Sequence, residues 1–353
     1  MTSTALLPGI RARRITTPRL TLNLLELPDR TGEPVLFVHG NVSAATFWQQ
    51  TMLDLPHPYR PLAVDLRGFG DTDPLPVDAT RGVRDFSDDL TALCDTLALD
   101  RVHLVGWSMG GGIALQHLRD QPAAVRSLTL VNPVSPYGFG GTHGPDGRLN
   151  HPDGAGAGAG TVNPEFVQRL KDGDRSEDSP LSPRAVLASS YVKPPLRPAL
   201  EDAFVDAMLS TRTGDDHYPG DTRPSDQWPG TAPGPRGVLN AMAPTHFRID
   251  DLHRIDPKPP IGWIRGTDDL IVSDTSLFDL AHLGALGAVP GWPGAEHCPA
   301  QPMVAQTRHA LDHYAATGGP VRETTISDAG HAVHIDKPKE FTAALLDTLT
   351  AGR

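Results

Sequence analysis

The sequence predicts an α/β domain built on a mostly parallel sheet, with helices on both faces and an inserted second layer. Three observations carry this. Short apolar runs alternate with longer helical patterns in two separate regions, as crossover-connected parallel strands require. That alternation stops for about 125 residues after Pro133 and then resumes. And one apolar run ends in V-G-W-S-M-G-G-G, residues 105 to 112, a serine set among glycines where a strand gives way to a helix.

Taken in order, strands are expected at residues 20 to 27, 34 to 39, 60 to 65, 101 to 106 and 127 to 132. Between the third and fourth, residues 85 to 97 place Phe86, Leu90, Leu93 and Leu97 on one helical face. The segment after Pro133 opens with G-F-G-G-T-H-G-P-D-G and H-P-D-G-A-G-A-G-A-G-T, too glycine-rich to hold a regular element. A dinucleotide-binding loop does not fit these glycines, because no strand precedes them and no suitably spaced helix follows. G-F-G-D-T-D at 68 to 73 fails the same test, since Asp73 occupies the third glycine position. A short amphipathic helix over 198 to 210 carries Leu200, Phe204 and Met208 as a stripe that must be buried. Strands return at 260 to 266 and 321 to 326, and a helix beginning at Pro338 closes the chain.

Composition limits the function classes. With 39% hydrophobic and 21% charged residues the chain is globular, and its 35 Gly and 35 Pro predict many loops. A net charge of −11 with no basic block leaves a nucleic-acid or anionic-membrane partner without an electrostatic footprint. Cys94 and Cys298 sit in no metal or redox motif. Neither a signal-peptide pattern at the N-terminus nor a run of ~18 apolar residues is found, so a cytoplasmic location is expected. Oligomeric state is not legible.

Chemistry centres on Ser108. G-x-S-x-G between a strand and a helix forces the serine onto a sharp turn, where neighbouring side chains would collide with the adjoining elements. The hydroxyl then stands above the carboxyl edge of the sheet, at a helix N-terminus that favours developing negative charge. A hydroxyl needs a base to become a nucleophile. His331, in S-D-A-G-H-A-V-H-I-D-K-P, follows the last expected strand at the same sheet edge, with His334 as its nearest rival. The imidazole needs a carboxylate to fix its tautomer. In R-G-T-D-D-L-I-V both Asp268 and Asp269 stand at the right edge, with Asp269 the better placed. Asn132, at the end of the strand after the serine helix, has no carboxylate to offer. Oxyanion donors are expected from the backbone N–H of Met109 and of Asn41 in H-G-N-V-S, with Val42 as the alternative to Asn41 and His39 as a packing residue.

H-G-N at 39 to 41, D-L-R-G-F-G-D at 65 to 71, G-W-S-M-G-G at 106 to 111, G-T-D-D at 266 to 269 and G-H-A-V-H-I-D-K-P at 330 to 338 resemble the α/β-hydrolase superfamily in content and order. The resemblance implies the α/β-hydrolase fold, with an eight-stranded, mostly parallel sheet, and a triad of Ser108, Asp269 and His331 in that chain order. It implies a core of residues 1–135 and 258–353 and a cap of residues 136–257 inserted after the sixth strand. Two features depart from the family: the cap is long and glycine-rich, and 62 positions separate Asp269 from His331, about twice the usual spacing. Residues 274–300 within that spacing read as a second lid element from which Trp292 reaches the pocket.

Relatives on this fold that cleave carbon–halogen or epoxide bonds use an aspartate nucleophile, which Ser108 argues against. A serine acyl-enzyme requires a carbonyl electrophile, so a carboxylic ester or lactone of a small molecule is the expected substrate. Cleavage of a carbon–carbon bond beside a ketone is the rival reaction, amide or peroxy-acid chemistry a further one, and a triad-retaining ligand-binding protein the rival class. Trp107, Trp292 and Met242 are the candidate substrate contacts, and Phe204, Met208, Trp228 and Phe247 suggest a moderately apolar pocket. No cofactor and no metal is called for, since His331, His334 and Asp336 make no convincing ligand set. Activity should rise with pH as the His331 imidazole loses its proton.

Overall fold

The computed structural model describes residues 6–353, so the first five residues of the N-terminal segment read above lie outside it. Eight strands form the central sheet: β1 (Arg11–Thr16), β2 (Thr21–Glu26), β3 (Glu33–Val38), β4 (Tyr59–Val64), β5 (Val102–Trp107), β6 (Val125–Val131), β7 (Ile261–Gly266) and β8 (Val321–Ile326). Their order across the sheet is β1-β2-β4-β3-β5-β6-β7-β8. β2 pairs antiparallel with both β1 and β4, and every other pairing is parallel. The fold is that of an α/β hydrolase.

All six residues of β5 are buried, as expected for a central parallel strand covered on both faces. The edge strand β1, R-A-R-R-I-T, was not anticipated. It buries only Ile15 and shows no apolar alternation from which a strand could be read.

Four helices of the core matter for the site: α1 (Arg84–Thr96), α2 (Met109–Asp120), α3 (Met303–Ala316) and α4 (Pro338–Ala351). α2 begins M-G-G-G, a poor helix former, and ten of its residues are buried. Packing against β5, β6 and α1 therefore holds this helix, rather than intrinsic propensity.

Between β6 and β7 the chain forms the inserted layer. Its helices are Pro164–Asp172, Pro183–Val186, Glu201–Leu209 and Val238–Ala241. The glycine-rich opening does hold regular structure, contrary to expectation: Thr142–His143 pairs antiparallel with Arg148–Leu149, and Gly140 bridges to Ala157. Its glycines at positive φ turn the chain back sharply enough to make these short pairs. Buried glutamines then fix it. Gln301 accepts the Gly140 N–H (2.6 Å) and donates to the Gly138 carbonyl (2.9 Å). Gln306 donates to Thr142 Oγ1 (3.1 Å) and accepts from Ser135 Oγ (2.7 Å). Both glutamines follow the 274–300 segment, so that segment is tied to the start of the insertion.

The stripe on Glu201–Leu209 finds its partner in the core, where Phe204 stacks on Phe47 with ring centroids 4.5 Å apart. One continuous apolar cluster runs from the sheet residues Phe37 and Val105 through Phe47 to Phe204, Met208 and Phe247 of the insertion. Among the described residues, no helix is long and apolar enough to cross a membrane.

Candidate active site

Ser108 stands between β5 and α2 with φ 57° and ψ −121°, a backbone region that L-residues avoid. Its surroundings impose it. The Ser108 N–H donates to the Val131 carbonyl (2.9 Å), while its own carbonyl accepts from Gly111 (2.9 Å) and Val134 (3.0 Å). Close approach is possible only without side chains: a Cβ on Gly106 would lie 2.3 Å from the Gly110 carbonyl oxygen, and one on Gly40 would lie 2.9 Å from Ser108 Cβ. The serine is half-buried, at the first turn of a helix whose leading N–H groups, that of Met109 first, have no intrahelical acceptor. The Gly40–Asn41 peptide runs beside it.

At the end of β7, Asp269 is buried and turned toward the imidazole of His331, with 2.9 Å between Oδ2 and Nδ1. Its other oxygen accepts the N–H groups of Ile271 (2.7 Å) and Val272 (3.0 Å), which fixes the carboxylate plane. The Nδ1 proton therefore points at the carboxylate and Nε2 is left as the basic nitrogen. Asp268 is engaged elsewhere, paired with Lys193 Nζ at 2.7 Å. His334 meets no carboxylate. It is stacked on Trp48 (4.2 Å) and lies edge-on to Trp107 (5.0 Å), and burial pushes its imidazole down to about 3. His39 is likewise internal: Nδ1 donates to the Gly40 carbonyl (2.7 Å), Nε2 accepts the Leu66 N–H (3.0 Å), and burial pushes it down to about 4.

Two residues hold the histidine loop against the serine turn. The His331 carbonyl accepts the Trp107 indole N–H (2.9 Å) and the Asn132 amide (2.7 Å). Asn132 also donates to the Gly330 carbonyl (3.1 Å) and accepts the Gly266 N–H (3.2 Å), so one side chain joins the ends of β6, β7 and the histidine loop. Asn132 follows β6 at φ 39°, a left-handed conformation that asparagine tolerates, and the sequence shows only that it lacks a carboxylate.

The expected substrate contacts are placed differently from one another. Trp107 is fully buried, and its indole N–H serves His331 rather than facing open space. Trp292 packs over Gly284 and donates to the Cys298 carbonyl (3.0 Å), inside the 274–300 segment. Met242 is buried in the insertion, where its carbonyl accepts the Phe139 N–H (2.9 Å). Trp228 reaches the Pro290 carbonyl (3.0 Å) and so links the insertion to the 274–300 segment. Among the described residues no group of three or more His, Cys, Asp and Glu side chains is arranged to hold a metal ion.

A family model described as alpha/beta hydrolase fold matches residues 33–157, the stretch from β3 through the serine turn into the insertion. That match and the sheet order together give the chain the α/β-hydrolase fold. Among curated relatives, 2-hydroxy-6-oxo-2,4-heptadienoate hydrolase of Pseudomonas putida is 39% identical over 106 residues, which is 29% of this chain and 38% of that protein. The 2-(acetamidomethylene)succinate hydrolase of Mesorhizobium japonicum is 32% identical over 126 residues, 36% of this chain and 44% of that one. The matched segments thus span less than half of these relatives. Over nearly the whole chain (97%) the fold is similar to that of the esterase RhEst1 from Rhodococcus, covering 98% of it with a TM-score of 0.58 and 18% identity.

Proposed function

We propose that the chain is a serine hydrolase that cleaves a carboxylic ester or lactone of a moderately apolar small molecule through an acyl-enzyme on Ser108. The observation that carries this reading is the strained Ser108 turn, whose Trp107 ring lies 5.4 Å from the His331 imidazole and donates to the His331 carbonyl, with Nδ1 of that imidazole committed to Asp269 at 2.9 Å. Nε2 of His331 takes the Ser108 proton as Oγ attacks the carbonyl carbon. The resulting oxyanion is met by the N–H groups of Asn41 and Met109, and the α2 N-terminus adds to that field. Collapse breaks the bond to the leaving alcohol, which accepts the proton from the imidazolium. Water then repeats the cycle on the acyl group, giving the acid and free Ser108.

A second reading has a specific observation in its favour. The Pseudomonas putida relative is named for a 6-oxo-dienoate, so a ketone carbonyl beside the carbon–carbon bond to be cleaved is the rival electrophile. A binding protein that retains the triad is the rival class. Turnover of a short p-nitrophenyl ester is compared with turnover of a diketone of equal size, in the native chain and in Ser108→Ala. The ester is expected to be the better substrate and to show a burst absent from the variant. Preference for the diketone selects the second reading, and turnover of neither selects the binder.

A further inference from the structure

The insertion returns to the core through residues 187–193, and this strap touches two of the loops used above. Leu187–Tyr191 is a π-helical turn, closed by the Val192 N–H on the Leu187 carbonyl (3.1 Å). Such turns shift the side chains that follow out of helical register and concentrate at functional sites. Here the shifted residue is Tyr191, 7% exposed, whose ring lies edge-on to those of Trp107 (5.8 Å) and His331 (6.0 Å). Its hydroxyl donates to the Asn41 carbonyl at 2.9 Å and lies 3.3 Å from that of Val42. Its own carbonyl accepts the N–H of Ala332, next to His331, at 2.6 Å. The neighbouring Lys193 N–H donates to Asp336 (3.0 Å), which also holds the Gly330 N–H (2.6 Å). One cap residue thus bridges the loop expected to bind the oxyanion and the loop that carries the base.

The acceptor it chooses is informative. A peptide unit is planar, so fixing the Asn41 oxygen orients the Asn41–Val42 plane, which carries the Val42 N–H, and through the Asn41 backbone torsions restrains the adjoining Gly40–Asn41 plane, which carries the proposed donor. Val42 itself sits at φ 45°, a conformation a β-branched residue keeps only when its surroundings impose it. Burial pushes the Tyr191 phenol upward from its ordinary range, so it remains a donor across neutral pH.

Resting on the serine-hydrolase reading, we infer that Tyr191 is a positioning residue which aims the Asn41 N–H at the oxyanion, so that hydrolysis requires the 187–193 strap to be docked. The cap then completes the catalytic geometry as well as covering it.

Tyr191→Phe removes one oxygen and leaves the ring packing. With a p-nitrophenyl ester that the native chain hydrolyses, kcat is expected to fall roughly tenfold with KM within about twofold, less than the 10²–10³ that follows outright loss of an oxyanion donor. A trifluoromethyl ketone, which binds as a tetrahedral oxyanion, should lose affinity by a similar factor, while the thermal midpoint shows that the variant is folded. Val42→Gly frees the same loop without touching the cap and should reproduce the pattern. Unchanged kcat and ketone affinity in both variants, or a raised KM at unchanged kcat, overturns the role of Tyr191. A native chain that neither hydrolyses esters nor binds the ketone overturns the hydrolase reading and this inference together.

Discussion

At the scale of single residues, the arrangement concentrates constraint on a few side chains that each serve two masters. Asp269 is the clearest case, because one carboxylate oxygen is filled by the N–H groups of Ile271 and Val272 and only the other faces His331. In Asp269→Asn the amide oxygen takes the position held by those N–H groups, and the amide NH₂ is turned toward Nδ1. The imidazole proton is then driven to Nε2, the nitrogen that accepts from Ser108 in the proposed mechanism. Ester turnover in this variant is expected to fall on the order of 10³–10⁴-fold with KM little changed. Retention of activity within tenfold would show that His331 does not depend on this carboxylate. Ser108 shows the same economy: its φ of 57° carries a strain of about 1–3 kcal/mol that three backbone hydrogen bonds hold in place.

At the scale of elements, the 274–300 segment is held to the insertion by the buried glutamines that follow it. Gln306→Ala would leave Ser135 Oγ, Thr142 Oγ1 and the Gly144 carbonyl without their present partner. Buried polar groups left unpaired cost about 1–3 kcal/mol each, although a water entering the vacated space would recover part of it. Urea unfolding should therefore show a loss of about 2–4 kcal/mol, against almost none for Gln168→Ala on the exposed face of its helix. Equal midpoints would show that the network does not hold the 274–300 segment. This network also shows where sequence reasoning reached its limit. Seven of the eight strands were readable, six of them because they are largely buried apolar runs and Val321–Ile326, which buries only Ile326, because the strand pattern resumes there ahead of a closing helix. The edge strand Arg11–Thr16 was not, since R-A-R-R-I-T holds three arginines and no apolar run. The turn at Ser108 was readable because glycine is demanded there by close approach. Asn132, Trp107 and Tyr191 were not readable as supports, because each acts through a backbone carbonyl more than 100 positions away. No local pattern records such a partner.

At the scale of the whole molecule, one apolar cluster unites core and insertion, and several histidines lie inside or against it. Burial holds His39 down to about 4 and His334 down to about 3, and lowers His103 and His117 as well. In the unfolded chain each imidazole binds a proton near pH 6.5. The unfolded state therefore takes up more protons than the native state as pH falls below that value, and stability is lost on acidification. His39 and His334, whose native values lie below pH 5, each contribute about 2 kcal/mol of loss between pH 6.5 and 5, and His103 and His117 add to it in the same direction. Asp65, Asp279 and Asp336, raised by burial, act with the opposite sign, their contribution being lost as pH rises through the native value. His334→Phe, placed among Trp48, Trp107 and Phe341, isolates one of these histidines. Its thermal midpoint should decline less between pH 7 and 5 than that of the native chain, and an identical decline would show that His334 is not protonated on unfolding.

The central claim is that one hydroxyl in this chain is activated toward a carbonyl or phosphonyl centre. Mass spectrometry of the intact chain after exposure to a fluorophosphonate tests it most directly, followed by peptide mapping. The account predicts a single adduct on the peptide that holds Ser108, absent from Ser108→Ala and formed far more slowly in Asp269→Asn. A chain that stays unlabelled, or one labelled at another residue and equally in Ser108→Ala, would contradict it.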